Sequence, residues 1–148
     1  MLVREMRENE IDEIVTIEQK TFGQPWSRAA FIKSCTEDNN VFLVVIDEED
    51  RIVGYGGFIK AAADEGHITK IAVKEGHRRQ GIGRLLVNKI LDEARERGIN
   101  SLTLEVRKSN KAAINLYEQI GFVQTAIRRD FYLKPKEDAV IMWLRQIQ

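Results

Sequence analysis

The 148 residues include one cysteine, two prolines and two histidines. A lone cysteine, Cys35, excludes an intrachain disulfide, and with no histidine near it in sequence it reads as an inert thiol. No apolar run approaches the roughly 18 residues of a membrane-spanning helix. The first residues, Met1-Leu2-Val3-Arg4-Glu5, lack the apolar segment of a signal peptide. An excess of either charge is also missing, since Lys+Arg and Asp+Glu each number 23. Generic nucleic-acid binders are basic overall, so neither nucleic acid nor membrane is the expected partner. His67 and His77 lack the spacing of a metal pair and read as ordinary strand and turn histidines, with no metal expected. What is present is a 43% hydrophobic content with no break in composition. That supports one domain over residues 1–148; the sequence shows no signal peptide or membrane span, so a cytoplasmic protein is expected, with a monomer favoured.

Hydrophobic periodicity gives an α/β reading with a mixed sheet. Leu2 to Met6 predicts a first strand. Asn9 is a candidate cap for a helix running to about Phe22, with Ile11, Ile14, Val15 and Glu18 at helical spacing. Ser27 is a second cap, with Trp26 and Phe31 placed as a hydrophobic staple. Val41–Ile46 and Arg51–Lys60 read as a hairpin around Asp47-Glu48-Glu49-Asp50. Gly54, Gly56 and Gly57 in its second strand suggest a bulge or a close approach. His67–Val73 is a further strand. Gly81–Arg97 is a helix with a stripe of Ile82, Leu85, Leu86, Ile90 and Ala94, ended by Gly98. Ser101–Val106 is a strand, and Ser109 or Asn110 caps the next helix, stopped by Gly121. Phe122–Leu133 and Ala139–Leu144 close the chain around the polar turn Lys134–Asp138.

Two blocks carry chemistry. In the first, Ile71-Ala72-Val73 ends a strand, and Arg78-Arg79-Gln80-Gly81-Ile82-Gly83-Arg84 opens a helix. Glycines let an anion approach the main chain, consecutive N–H groups form a nest, and arginines add charged donors. This suits a phosphorylated ligand. A dinucleotide fingerprint needs a third glycine, and a P-loop needs Gly-Lys-Ser/Thr; both are missing. In the second block, alternation puts Leu102, Leu104 and Val106 on one strand face, with Thr103 and Glu105 on the other. Tyr117 follows two helical turns after Asn110. Read singly, Glu105 is a surface or ion-paired carboxylate and Tyr117 a packed core residue.

The Arg78-x-x-Gly81-x-Gly83 turn resembles that of the GNAT acyltransferases, which bind acetyl-CoA. The stretch from Leu104-Glu105-Val106-Arg107 through Ser109-Asn110, Leu116-Tyr117 and Gly121-Phe122 resembles the RimI group within GNAT. That group acetylates the N-terminus of a small-subunit ribosomal protein. Pro25-Trp26-Ser27 and Ile127-Arg128-Arg129 extend the likeness over nearly the whole chain. The resemblance implies a GNAT fold, a mixed and mostly antiparallel sheet of about seven strands with about four helices. It implies that amides of Arg79, Gln80, Gly81, Ile82, Gly83 and Arg84 hold the CoA pyrophosphate, with Arg78 also a cofactor-binding residue. Ile71, Ala72 and Val73 would lie beside the pantetheine, and Asn110 would contact CoA. Glu105 would be the general base, Tyr117 the general acid, and Trp26 and Tyr132 candidates for the acceptor site. Trp26 as staple and Trp26 as acceptor wall stand equal on the residues alone.

After Arg129 the chain has Asp130-Phe131-Tyr132 where the group often shows Asn-Tyr-Tyr. Arg128-Arg129 reads as a solvated strand end. Two rival functions remain open at this point: a GNAT enzyme for a small amine or lysine side chain, and a non-catalytic CoA-binding or interaction module.

Overall fold

The computed structural model describes residues 1–148. Its chain order begins with β1 (Leu2–Glu5), α1 (Ile11–Thr21), α2 (Arg28–Thr36), β2 (Asn40–Ile46) and β3 (Ile52–Ala62). It continues with β4 (Glu65–Val73), α3 (Ile82–Glu96), β5 (Ser101–Arg107), α4 (Lys111–Ile120), β6 (Val123–Leu133) and β7 (Lys136–Arg145). The strands make one sheet in the order β1-β2-β3-β4-β5-β7-β6. Every neighbouring pair is antiparallel except β4 and β5. The expected α/β class, element order and mixed sheet are all present.

Helices cover the sheet unequally. On one face α1 and α2 pack Ile11, Ile14 and Phe31 against Phe42, Val44, Tyr55 and Ala72. On the other, α3 and α4 lay Leu86, Ile90, Ile114 and Tyr117 over Leu43, Leu102, Leu104 and Met142. Ser27 caps α2 by accepting from Ala30 N at 3.1 Å, as its position predicts. Asn110, rather than Ser109, caps α4 by accepting from Ala113 N at 3.2 Å.

Three local expectations are corrected. Asn9 does not cap α1; it lies in a 3-10 turn, Glu8–Glu10, and the helix begins after Glu10. The Glu10 carboxylate accepts from Arg4 and from Arg7 N, which holds that turn in place. Leu85 is exposed, and the α3 stripe is completed instead by Val87 and Leu91. The last hairpin is tighter than its polar run suggests, since β7 already starts at Lys136.

The decisive feature is in mid-sheet. β4 and β5 pair only at Glu65↔Ser101, Gly66↔Leu102 and His67↔Thr103. Past His67, β4 stays with β3 as far as Val73, and β5 stays with β7 as far as Arg107. The two strands therefore part, and a cleft opens between them. Where they part, the register of β4 on β3 slips between Phe58↔Ile68 and Gly57↔Lys70. Thr69 is the extra residue of this bulge. In a regular strand, side chains three apart point to opposite faces. An extra residue reverses that parity, so His67 and Lys70 both serve the face that carries α1 and α2.

Glycine in β3 makes room for this arrangement. A Cβ on Gly56 would run into the Lys70 carbonyl and stand 3.1 Å from Leu86 Cδ2. Gly56→Ala is expected to cost roughly 1–3 kcal/mol by overpacking, read as a lower urea midpoint at unchanged m-value.

Candidate active site

The cleft between β4 and β5 widens into a cavity of about 710 Å³. Its floor is His67 to Ile71 from β4 and Leu104 to Arg107 from β5. One wall is the connection from α1 to α2, including Phe22 and Trp26. The other carries Phe131, Tyr132, Lys134 and Pro135 from the last hairpin, with Asn110 and Tyr117 of α4 nearby. Six of the residues singled out in the sequence (Trp26, Ile71, Glu105, Asn110, Tyr117 and Tyr132) thus line one space.

Glu105 stands on the open face of β5, as alternation predicts. Its Oε2 is 3.0 Å from His67 Nε2, and its Oε1 is 3.8 Å from Arg128. The hydrogen bond from His67 is the main reason its carboxyl sits below the usual range; burial pushes the other way. Glu105 is therefore ionised at neutral pH and can accept a proton.

Tyr117 differs in kind. Its ring packs 5.8 Å from that of Phe122, and burial raises its hydroxyl above the ordinary tyrosine value. No protein hydrogen bond engages that hydroxyl, yet no buried polar side-chain atom lacks a partner, so the group opens on the cavity. It keeps its proton at neutral pH and can give it up only to a strong base formed beside it. Tyr132 is pushed up to about 12, first by burial and then by the Glu105 charge. The Arg107 guanidinium stacks 4.2 Å from its ring.

The turn before α3 lies beside the cavity rather than in it. No backbone N–H from Arg78 to Arg84 donates to another main-chain group. Arg79 and Gly81 have φ of 65° and 77°, and Gly81 has open space where a Cβ would sit. This is a nest of unspent donors at a helix start. The roles divide among its side chains. Arg78 and Arg79 are exposed and free of ion pairs, Arg84 reaches Gln119 of α4, and Ile82 is buried in the core. Ile82 can therefore contribute only its main chain. Ala72 is likewise buried under α1 and α2, and Val73 packs toward α3. Of that strand end, only Ile71 reaches the cavity. Asn110 spends its carbonyl oxygen on the α4 cap, which leaves its amide nitrogen for a ligand.

Residues 11–122 match the Acetyltransferase (GNAT) family. The chain belongs to that family. An Escherichia coli K12 ribosomal protein bS18-alanine N-acetyltransferase is 38% identical over 130 residues, 86% of each chain. A Bacillus subtilis protein, provisionally named as the same activity, is 35% identical over 142 residues, covering 96% of this chain and 93% of that one. The crystal structure of the E. coli ribosomal-protein-S18-alanine N-acetyltransferase superposes with a TM-score of 0.87 at 32% identity, covering 98% of this chain and 93% of that one. The α/β architecture expected from the resemblance is thus the GNAT fold, and the chain is an acetyltransferase.

Some features of this GNAT site escaped the sequence. His67 was read as an ordinary strand histidine, yet it is the nearest partner of Glu105. The residues are 38 apart in sequence, and only the parallel pairing of β4 with β5 joins them. Arg128 is not merely a solvated strand end, since it also reaches Glu105 and stacks on Phe131. Trp26 needs no choice between its two readings. Its ring packs 5.2 Å from Phe31 as a staple does, and it also lines the cavity. Cys35 is half-buried, and burial pushes its thiol up, in keeping with an inert residue.

Because the His67 contact is the main cause holding Glu105 low, His67→Ala is expected to raise that carboxyl. Burial then dominates the shift. A carbon-detected NMR titration of Glu105 reads this directly.

Proposed function

We propose that the protein transfers the acetyl group of acetyl-CoA to the α-amine of a protein, with the N-terminal alanine of ribosomal protein bS18 as acceptor. The observation that carries this reading is the meeting of an ionised carboxylate, Glu105, and a protonated hydroxyl, Tyr117, across one cleft. The names of the relatives supply the acceptor.

The unspent amides from Arg78 to Arg84 fit a pyrophosphate, with Arg78 and Arg79 free to add charge. The parted strands leave a cavity lined by both Ile71, at the end of β4 that leads toward that nest, and Glu105. Asn110 can hydrogen-bond the pantetheine arm through its free amide nitrogen. Acetyl-CoA supplies the acetyl group as a thioester, activated for attack by an amine.

The work of this chain's residues is proton management. An α-ammonium has a pKa of about 7.7–8.0 and a lysine about 10.4, a gap of roughly 3.4 kcal/mol in the cost of neutralisation. The α-amine is partly neutral near pH 7. Glu105, held below the usual carboxylate range, is a weak base and suits an acceptor that needs little help. His67, which donates to it, keeps that carboxylate ionised and fixes its orientation. Tyr117 holds a proton for the departing sulfur. A thiol has a pKa of about 8.5, below the raised value of Tyr117, so the hydroxyl eases that departure as a hydrogen-bond donor rather than by full loss of its proton.

Glu105→Gln and Tyr117→Phe are each expected to slow single-turnover acetyl transfer by about 10²–10⁴, with acetyl-CoA affinity retained. Since Glu105 is ionised throughout the neutral range, the acid limb of kcat/KM is expected at the acceptor's own pKa of about 7.7–8.0. It should move when the acceptor amine is changed. The acceptor class is tested by mass spectrometry of a peptide with an N-terminal alanine and internal lysines. Acetylation of the α-amine is the expected result. Modification of lysine alone would move the assignment to a lysine acetyltransferase, and acetyl-CoA binding without turnover would leave a binding module.

A further inference from the structure

The cleft wall opposite the last hairpin hides a buried ion pair that the proposed chemistry does not use. Glu18 of α1 is fully buried, and its Oε2 pairs with Lys70 Nζ of β4. The same carboxylate accepts from Tyr55 Oη at 2.7 Å and from the Trp26 backbone N–H at 2.9 Å. The Lys70 ammonium lies 4.2 Å from the Phe22 ring centroid and 4.6 Å from that of Trp26. Phe22, Trp26 and Lys70 all face the cavity that holds Glu105.

A buried charge pair is a poor source of net stability, because desolvation cancels most of the attraction. Its geometry suits positioning better. One ammonium holds two aromatic rings by cation–π contact, and its counter-ion holds the backbone between them. The wall cannot retreat either. Behind Trp26 stand Phe31 and Phe42, with ring centroids 5.2 and 6.0 Å away. Its other end is tied down by Gln24, whose Oε1 accepts from Leu133 N at 2.9 Å and Lys134 N at 3.2 Å.

We propose that Lys70, locked to Glu18, is a positioning residue that sets Phe22 and Trp26 as a rigid wall limiting the size of the acceptor's first side chain. This rests on the reading of the cavity as a site for protein N-termini. A rigid aromatic wall selects by shape, and excess bulk meets packed rings instead of a movable loop. Loosening the wall relaxes the selection without touching the donor side.

Lys70→Met alone leaves Glu18 charged and unpaired in the core, so it is paired with Glu18→Gln, which removes both charges together. In the double variant, the preference for an alanine over a leucine first residue, read as a kcat/KM ratio, is expected to fall by about tenfold or more. KM for acetyl-CoA should stay as in the wild type. Amide exchange at Phe22 and Trp26, the hydrogen-bonded amides of residues 22–27, should quicken by more than about tenfold, while α3 keeps its protection. Unchanged exchange in that segment overturns the proposal whatever the acceptor proves to be. Faster exchange with an unaltered alanine-to-leucine ratio overturns it as well. A wild-type enzyme that acetylates no α-amine, by contrast, refutes the acceptor reading on which the inference rests.

Discussion

Three residue pairs of parallel sheet, Glu65↔Ser101 to His67↔Thr103, are the whole of the pairing between β4 and β5 at the centre of the sheet. Everything functional depends on the pairing ending there. Had β4 and β5 stayed together, the sheet would be continuous and Glu105 would face a closed surface. Each strand keeps its outer partner, so past His67 and Thr103 the backbone groups on the two facing edges have no cross-strand partner and open on the cleft. The cleft is a consequence of pairing preference, and the side chains at its mouth are placed by ordinary strand alternation.

The same parting explains the division of labour. Toward the end of β4 it reaches Ile71, and the turn that follows that strand carries the unspent amides of a helix start. On the α1 and α2 side it exposes His67, Lys70 and Glu105 to one cavity, helped by the bulge at Thr69. Electrostatics then separates the roles. Glu105 gains a hydrogen-bonding partner and stays ionised, whereas Tyr117 is raised chiefly by burial and stays protonated. Two groups driven apart in this way can manage a proton at each end of one transfer.

Local physics was legible in the sequence. The caps at Ser27 and Asn110, the staple of Trp26 on Phe31, and the alternation that turned Glu105 away from the core were all readable from near neighbours. The Arg78–Arg84 turn was legible for the same reason as a helix start with unspent amides. What could not be read were contacts between residues far apart in the chain. The partner of Glu105 is 38 residues away, and Glu18 meets Lys70 across 52. A glutamate on the apolar face of an amphipathic helix gives no sign of its lysine. The Thr69 bulge was equally hidden, because it depends on register with β3. Ala72 and Ile82 have buried side chains, so the cofactor contacts that the resemblance implies for them fall to their main chain.

The central claim is that donor and acceptor meet in the parted strands with Glu105 and Tyr117 on either side of the reacting nitrogen. A crystal structure with CoA joined covalently to the N-terminus of an alanine-first peptide tests it most directly. The account predicts pyrophosphate against the Arg78–Arg84 amides and the peptide's first residue against Phe22 and Trp26. The linking nitrogen should fall within direct or one-water reach of Glu105, and the sulfur within reach of the Tyr117 hydroxyl. A conjugate whose peptide leaves the cleft by another route, with Glu105 and Tyr117 remote from the linkage, would contradict it.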